Sequence, residues 1–258
     1  ASAGQVIPIS DVEPEATVGV GTNGHEYLVA WSGPSGMILG AIVDTNGRVL
    51  ASAQTLVKAS SRQVKRIAVA SNGSDFFVVW DAVSADEWQT MAVLVSPEGP
   101  PRWMLPMPIS MSGAAPDVVW NGSDYLIVWQ SVPDGGIRGR RVSADGVLRS
   151  ELLSITTKRD FAPRLAWDGA GYSVAFARAT LAGKSSVGSL AVLRVTREGL
   201  PAEMLTGGAL ARGIEPGQYA IAAGAGEVVL VYRKGKGLMF NRTAVGSPQG
   251  APAHRAPH

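Results

Sequence analysis

Asn121-Gly122-Ser123-Asp124-Tyr125-Leu126-Ile127-Val128-Trp129 reads as a tight turn followed by a strand, and the chain repeats it. Asn-Gly supplies the left-handed backbone that a short turn needs. The apolar run behind it ends on an aromatic residue. Two earlier copies are Asn23-Gly24-His25-Glu26-Tyr27-Leu28-Val29-Ala30-Trp31 and Asn72-Gly73-Ser74-Asp75-Phe76-Phe77-Val78-Val79-Trp80. Two worn copies follow, Asp168-Gly169-Ala170-Gly171-Tyr172-Ser173-Val174-Ala175-Phe176 and Gly224-Ala225-Gly226-Glu227-Val228-Val229-Leu230-Val231-Tyr232. The turn positions 23, 72, 121, 168 and 224 lie 49, 49, 47 and 56 residues apart.

A period near fifty, with one turn and one aromatic-ended strand per copy, is the mark of propeller blades. The expected fold is all-β: a five-bladed β-propeller of four-stranded antiparallel blades. In the first copy strand A falls near 17–22, B at 27–31, C near 37–43 and D near 53–57. Asn46-Gly47 makes the hairpin between C and D, and Glu98-Gly99, Asp145-Gly146 and Glu198-Gly199 stand at the same point later. The B strands are apolar on both faces, as suits a sheet packed between two neighbours. Trp31, Trp80, Trp129, Phe176 and Tyr232 are therefore assigned to packing between blades.

The last copy has a C strand near 238–243 and no D strand after it, whereas Val6-Ile7-Pro8-Ile9-Ser10 matches Pro106-Met107-Pro108-Ile109-Ser110 of the second copy. The N-terminal strand is expected to close the ring and so remove two sheet edges that would otherwise template aggregation. This gives one domain over 1–250, with blades at about 13–61, 62–114, 115–161, 162–215 and 216–250 plus 1–10. Residues 251–258, rich in Ala and Pro, read as a flexible tail.

The repeats resemble the Pro-x-Val-Ala-x-Asn-Gly-x-x-Tyr-Leu-Val-Val-Trp units of secreted bacterial β-propeller repeat proteins. The best match is Pro116-Asp117-Val118-Val119-Trp120 followed by the stretch quoted first. The resemblance covers Glu15 to about Val245. It implies the fold, and a range of roles spanning adhesion, sugar binding and assembly of larger complexes.

Composition narrows that range. With 46% apolar and 17% charged residues the chain is a folded one. Its net charge of +2 lacks the basic excess that nucleic-acid binding requires. No apolar run reaches the roughly 18 residues of a transmembrane segment. Having no cysteine, it has neither disulfides nor thiolate metal sites. The small residues Ala1-Ser2-Ala3-Gly4 resemble the neighbourhood of a signal-peptidase cut, so an extracytoplasmic location, periplasmic or secreted, is expected.

Catalytic patterns are sparse. A propeller glycosidase sets two carboxylates on inner strands across a central funnel. The predicted A strands hold Asp117 as their one acid, with Glu15 just outside, so Asp117 reads as a pore-mouth residue rather than a catalyst. His25 sits in a turn, while His254 and His258 lie in the tail, so no Ser–His–Asp set or histidine metal site is expected. No glycine loop of the phosphate-cradling kind occurs, and no cofactor is expected.

On the face formed by the D–A and B–C loops lie 12 of the 23 basic residues against nine acids, a surplus that steers anionic partners. Trp88, in the segment Asp81–Gln89 taken as a B–C loop, and Trp103 break the repeat. The candidate partner-binding residues are thus Trp88, Trp103, Arg62, Lys65, Arg66, Lys158, Arg159, Arg233 and Lys234. Together these readings predict a non-enzymatic extracytoplasmic scaffold that binds a protein partner, as an extrinsic subunit of a membrane-associated assembly. The alternative is a lectin-like, carbohydrate-binding propeller, and the third reading is a glycosidase-like hydrolase.

Overall fold

The computed structural model describes residues 8–58, 60–98, 106–157, 159–179, 188–205, 211–214, 217–224 and 226–245. Strands dominate them, with one 3-10 turn at Pro34–Gly36 and no α-helix among the described residues. The strands sort into five separate antiparallel sheets.

The first sheet runs β1 (Val18–Thr22), β2 (Glu26–Ser32), β3 (Ile38–Asp44) and β4 (Val49–Val57). The second runs β5 (Ile67–Ser71), β6 (Phe76–Ser84), β7 (Glu87–Val95) and β8 (Met107–Ser110). The third has β9 (Gly113–Trp120), β10 (Asp124–Ser131), β11 (Ile137–Ser143) and β12 (Leu153–Ser154). The fourth has β13 (Asp160–Trp167), β14 (Tyr172–Ala179), β15 (Gly188–Val195) and β16 (Pro201–Met204), and β17 (Ala211–Ile214) also pairs with β15. The last has β18 (Tyr219–Gly224), β19 (Glu227–Lys234) and β20 (Gly237–Ala244).

The repeated turn works by side-chain capping. Oδ1 of Asn23, Asn72 and Asn121 accepts the N–H groups two and three residues on, at 2.8–2.9 Å. Asp168 does the same at 2.9 Å. The following Gly24, Gly73, Gly122 and Gly169 hold φ of +94, +93, +93 and +98 degrees, a region that favours glycine.

The sheets pack face to face, with one apolar cluster for each neighbouring pair. Leu28 and Ile42 meet Ile67 and Phe76 between the first two sheets. Phe77 meets Tyr125 with ring centroids 4.6 Å apart between the next two. Leu126 meets Tyr172 and Phe176, and Ala175 meets Tyr219 and Leu230, in the remaining clusters. Fully burying one such side chain contributes about 1.5–3 kcal/mol. Trp31, Trp80, Trp129 and Phe176 are all buried. Trp120 and Trp167 tilt against Tyr125 and Tyr172 at the same 54° angle, at 4.8 and 4.7 Å.

The first strands of the sheets pack side by side in the order β1, β5, β9, β13, β18. Glycine lets β1 come close: a Cβ on Gly19 or Gly21 would stand 3.0 Å from the carbonyl oxygen of Ile67 or Val69. At the two ends of the stack apolar faces stay open, with Val18, Val20 and Tyr27 exposed on the first sheet and Leu238 and Phe240 on the last. Val6 and Ile7 of the expected closing strand lie outside the described residues, and Pro8–Ser10 carry no strand.

One expectation about a loop is corrected. The Asp81–Gln89 segment is a hairpin in which β6 and β7 pair as far as Ser84 and Glu87. A hairpin of that length satisfies the backbone groups that a loop would leave to water.

Candidate functional site

Where β5, β9 and β13 begin, a cavity of about 380 Å3 opens, lined by Lys65, Arg66, Asp81, Trp88, Gln130 and Arg164 among others. Two bulges shape it. Pairing of β9 with β10 slips between Val128 and Gln130, and pairing of β13 with β14 slips between Phe161 and Arg164. Ala115 and Ala162 sit at these points with φ of +50 and +52 degrees, each followed by a proline. A left-handed alanine costs about 1–2 kcal/mol. Bulges of this kind re-aim backbone and side chains near sites.

The first bulge turns the Ala115 N–H out of the ladder and onto Asp81. Asp81 Oδ1 accepts from Lys65 N at 2.7 Å and Arg66 N at 2.8 Å, while its Oδ2 accepts from Ala115 N at 3.1 Å. The carboxylate thereby joins the second sheet to the third. It is 1% exposed. Burial raises its pKa above the ordinary carboxylate value, against the pull of the backbone N–H groups and of Arg66.

Asp117 makes the next link. Its Oδ2 accepts from Leu165 N at 2.8 Å in the fourth sheet, and its Oδ1 lies 3.3 Å from the Arg66 guanidinium. Arg66 thus touches both acids, through its backbone N–H and through its side chain, and its Nε donates to Pro116 O at 3.1 Å.

Arg164 completes the wall. It lies over the Tyr219 ring, 5.7 Å from the centroid, and donates to Pro163 O at 2.7 Å. Burial and the neighbouring charge of Arg66 lower its pKa, partly offset by Asp117 and Tyr219. The Tyr219 hydroxyl donates to Ala162 O, holding the second bulge, and burial pushes its pKa far up.

Of the residues singled out from sequence, the structure brings Lys65, Arg66 and Trp88 together in this wall. Trp88 stands on β7 opposite Val83, not on a loop. Arg62 lies beside them in a second cavity, paired with Glu87 at 3.0 Å. Arg159 lines a separate cavity with Asp160. Arg233 and Lys234 end β19, where Arg233 donates to Gly235 O at 3.0 Å. Trp103 and Lys158 lie outside the described residues.

Sequence reasoning placed Asp81 and Arg164 only on a loop face. The signal available was the Ala-Pro pair before Asp117 and Arg164, which marks a bulge in both strands. Among the described residues no group of three or more acidic or histidine side chains is arranged to hold a metal ion, and no helix is long and apolar enough to cross a membrane.

No family model matches the chain, and no curated protein matches it. Solved structures do. A family-43 endo-arabinanase from Bacillus licheniformis is 10% identical, with a TM-score of 0.51 over 90% of this chain and 96% of its own. A thermostable family-43 glycoside hydrolase is 12% identical, with a TM-score of 0.54 over 95% and 98%. The catalytic domain of a family-62 α-L-arabinofuranosidase from Coprinopsis cinerea is 11% identical, with a TM-score of 0.51 over 92% and 93%.

These likenesses support the propeller fold. They also overturn the non-enzymatic scaffold expected from sequence, because the propellers superimposing over most of both chains are glycoside hydrolases. That expectation rested on finding a single carboxylate among the inner strands. Asp81, at the far end of a B strand, lines the cavity and takes the Ala115 N–H two residues before Asp117. An inner-strand count could not include it.

Proposed function

We propose that the protein is a carbohydrate-acting propeller, a glycosidase-like hydrolase whose site is the mouth walled by β5, β9 and β13. The observation that carries this reading is the pair of carboxylates in unlike surroundings joined through Arg66. Asp81 is buried with a raised pKa, and Asp117 is ion-paired. Hydrolysis of a glycosidic bond asks for one carboxyl that holds a proton and one that carries charge. Asp81 fits the first part and Asp117 the second, with Trp88 offering an aromatic surface to a sugar ring.

Turnover of a panel of polysaccharides and aryl glycosides by the purified chain tests this. Wild type should release reducing sugar from at least one of them, and Asp117→Asn should lower the rate by about 10²-fold or more. Unchanged turnover in Asp117→Asn sinks the assignment.

Carbohydrate binding without turnover is the second reading. It is favoured by the closed hydrogen bonding of Asp81, whose two oxygens both serve backbone N–H groups. Glycan binding that survives while no substrate is cleaved selects it.

The reading includes a ring of five blades in which the open faces of the first and last sheets meet. Support comes from the exposed Val18, Val20, Leu238 and Phe240 and from β20 standing at the edge of a three-stranded sheet. The resemblance to secreted repeat proteins fits a place of action outside the cytoplasm, where polymeric glycans are met.

A further inference from the structure

We infer that the mouth binds the anionic group of an acidic sugar, a carboxylate or sulfate, between Arg66 and Arg164. This rests on the carbohydrate reading above and names the substrate class. The cavity is lined by two guanidinium groups and the Lys65 ammonium against one carboxylate, that of Asp81, and Asp117 pairs with Arg66 beside it. Asp81 spends its oxygens on three backbone N–H groups, so it offers little to a cation. Asp117 shares one oxygen with Leu165 N and the other with Arg66.

Arg164 has no carboxylate within 4.0 Å among the described residues; it is held by a carbonyl and the Tyr219 ring face. A partly buried guanidinium beside another cation, with one donor committed of its five, keeps donors free for a ligand. An anion suits them, since a planar guanidinium fork matches carboxylate and sulfate oxygens bidentately. Trp88 and Gln130 line the same cavity and supply an apolar face and an amide for the rest of the sugar.

Calorimetric titration of the whole chain with uronate oligosaccharides of several backbones, each paired with its methyl ester, tests the inference. The ester removes the charge and leaves the sugar. The acid form should bind at least about tenfold tighter than the ester, with an advantage that shrinks as salt is raised. Arg164→Gln should reduce acid binding to the level of the ester, and Arg164→Lys should keep part of the advantage. A sulfated oligosaccharide in the same series distinguishes sulfate from carboxylate.

Equal binding of acid and ester in every pair overturns the inference while leaving the carbohydrate reading in place. Undiminished acid preference in a folded Arg164→Gln overturns the assignment to this arginine. Should that variant fail to fold, the wild-type acid-to-ester ratio and its salt dependence decide. Failure of every sugar, charged or neutral, to bind or be cleaved removes both readings together.

Discussion

Asp81 accepts three backbone N–H groups drawn from two sheets while almost wholly buried, which makes it a structural link as well as a candidate acid. Asp81→Ala leaves those donors without an acceptor, and an unsatisfied buried group costs about 1–3 kcal/mol. Urea denaturation should therefore show a loss of about 2–4 kcal/mol. The raised pKa adds a sign that can be checked. A carboxyl whose folded pKa exceeds its unfolded one binds the extra proton in the folded state, so its contribution to stability is greatest at low pH. It declines as pH rises from about 4 through the raised value. The stability of wild type relative to Asp81→Asn should fall over that window, and a rise would show that the ionised form is the one the fold favours. Asp81 could be read from sequence only as the residue after a repeated Trp; its partners lie 15 and 16 positions back and in a bulge 34 positions ahead.

At the scale of elements, the fourth sheet shows why one copy of the repeat carries Asp where the first three carry Asn. Asp168 caps its turn through Oδ1 as the asparagines do, and its Oδ2 meets the Arg194 guanidinium of β15 at 2.7 Å, both side chains being buried. Burial opposes the charge on Asp168, yet the Arg194 hydrogen bond, the N–H groups of Ala170 and Gly171 and the charge of Arg194 together lower its pKa. Removing one partner of a buried ion pair costs about 3–5 kcal/mol. Asp168→Ala should lose roughly 3 kcal/mol in denaturant, and a second change, Arg194→Met, should recover part of it. No recovery would mean that the turn cap, not the charge, carries the effect. A depressed folded pKa makes this contribution full above the unfolded value near 4 and lost as pH falls below it, opposite to Asp81. The turn and strand were legible in the repeat. The ion pair was not, because Arg194 stands alone as a charge on an otherwise apolar strand and nothing along the chain ties it to position 168.

For the whole molecule, the open question of energy lies at the two ends of the stack. Every internal junction buries an apolar cluster, whereas Val18 and Val20 at one end and Phe240 and Leu238 at the other are exposed, at 55%, 61%, 66% and 78%. Apolar faces of that kind gain about 25 cal/mol for each Å2 they remove from water, which favours covering both. Deleting residues 1–10 should lower the melting temperature and speed amide exchange along β20, measured by hydrogen–deuterium exchange. Unchanged protection of β20 in the truncated chain would leave the closing strand without its assigned place.

The spacing of the five turns was enough to specify an all-β chain of repeated antiparallel sheets, because each turn and strand depends on residues adjacent in the chain: Asn-Gly for the bend, then apolar residues with an aromatic end. The same adjacency explains why the aromatic packing could be assigned before any coordinates. What only three dimensions decided is the mouth. It brings together Asp81, Arg66 and Arg164 from three consecutive repeats, with Asp117 paired to Arg66 beside them, and two left-handed alanines mark the bulges that shape it. Burial and long-range hydrogen bonds set the character of those groups, and neither is written in the identity of any residue or in its distance along the chain.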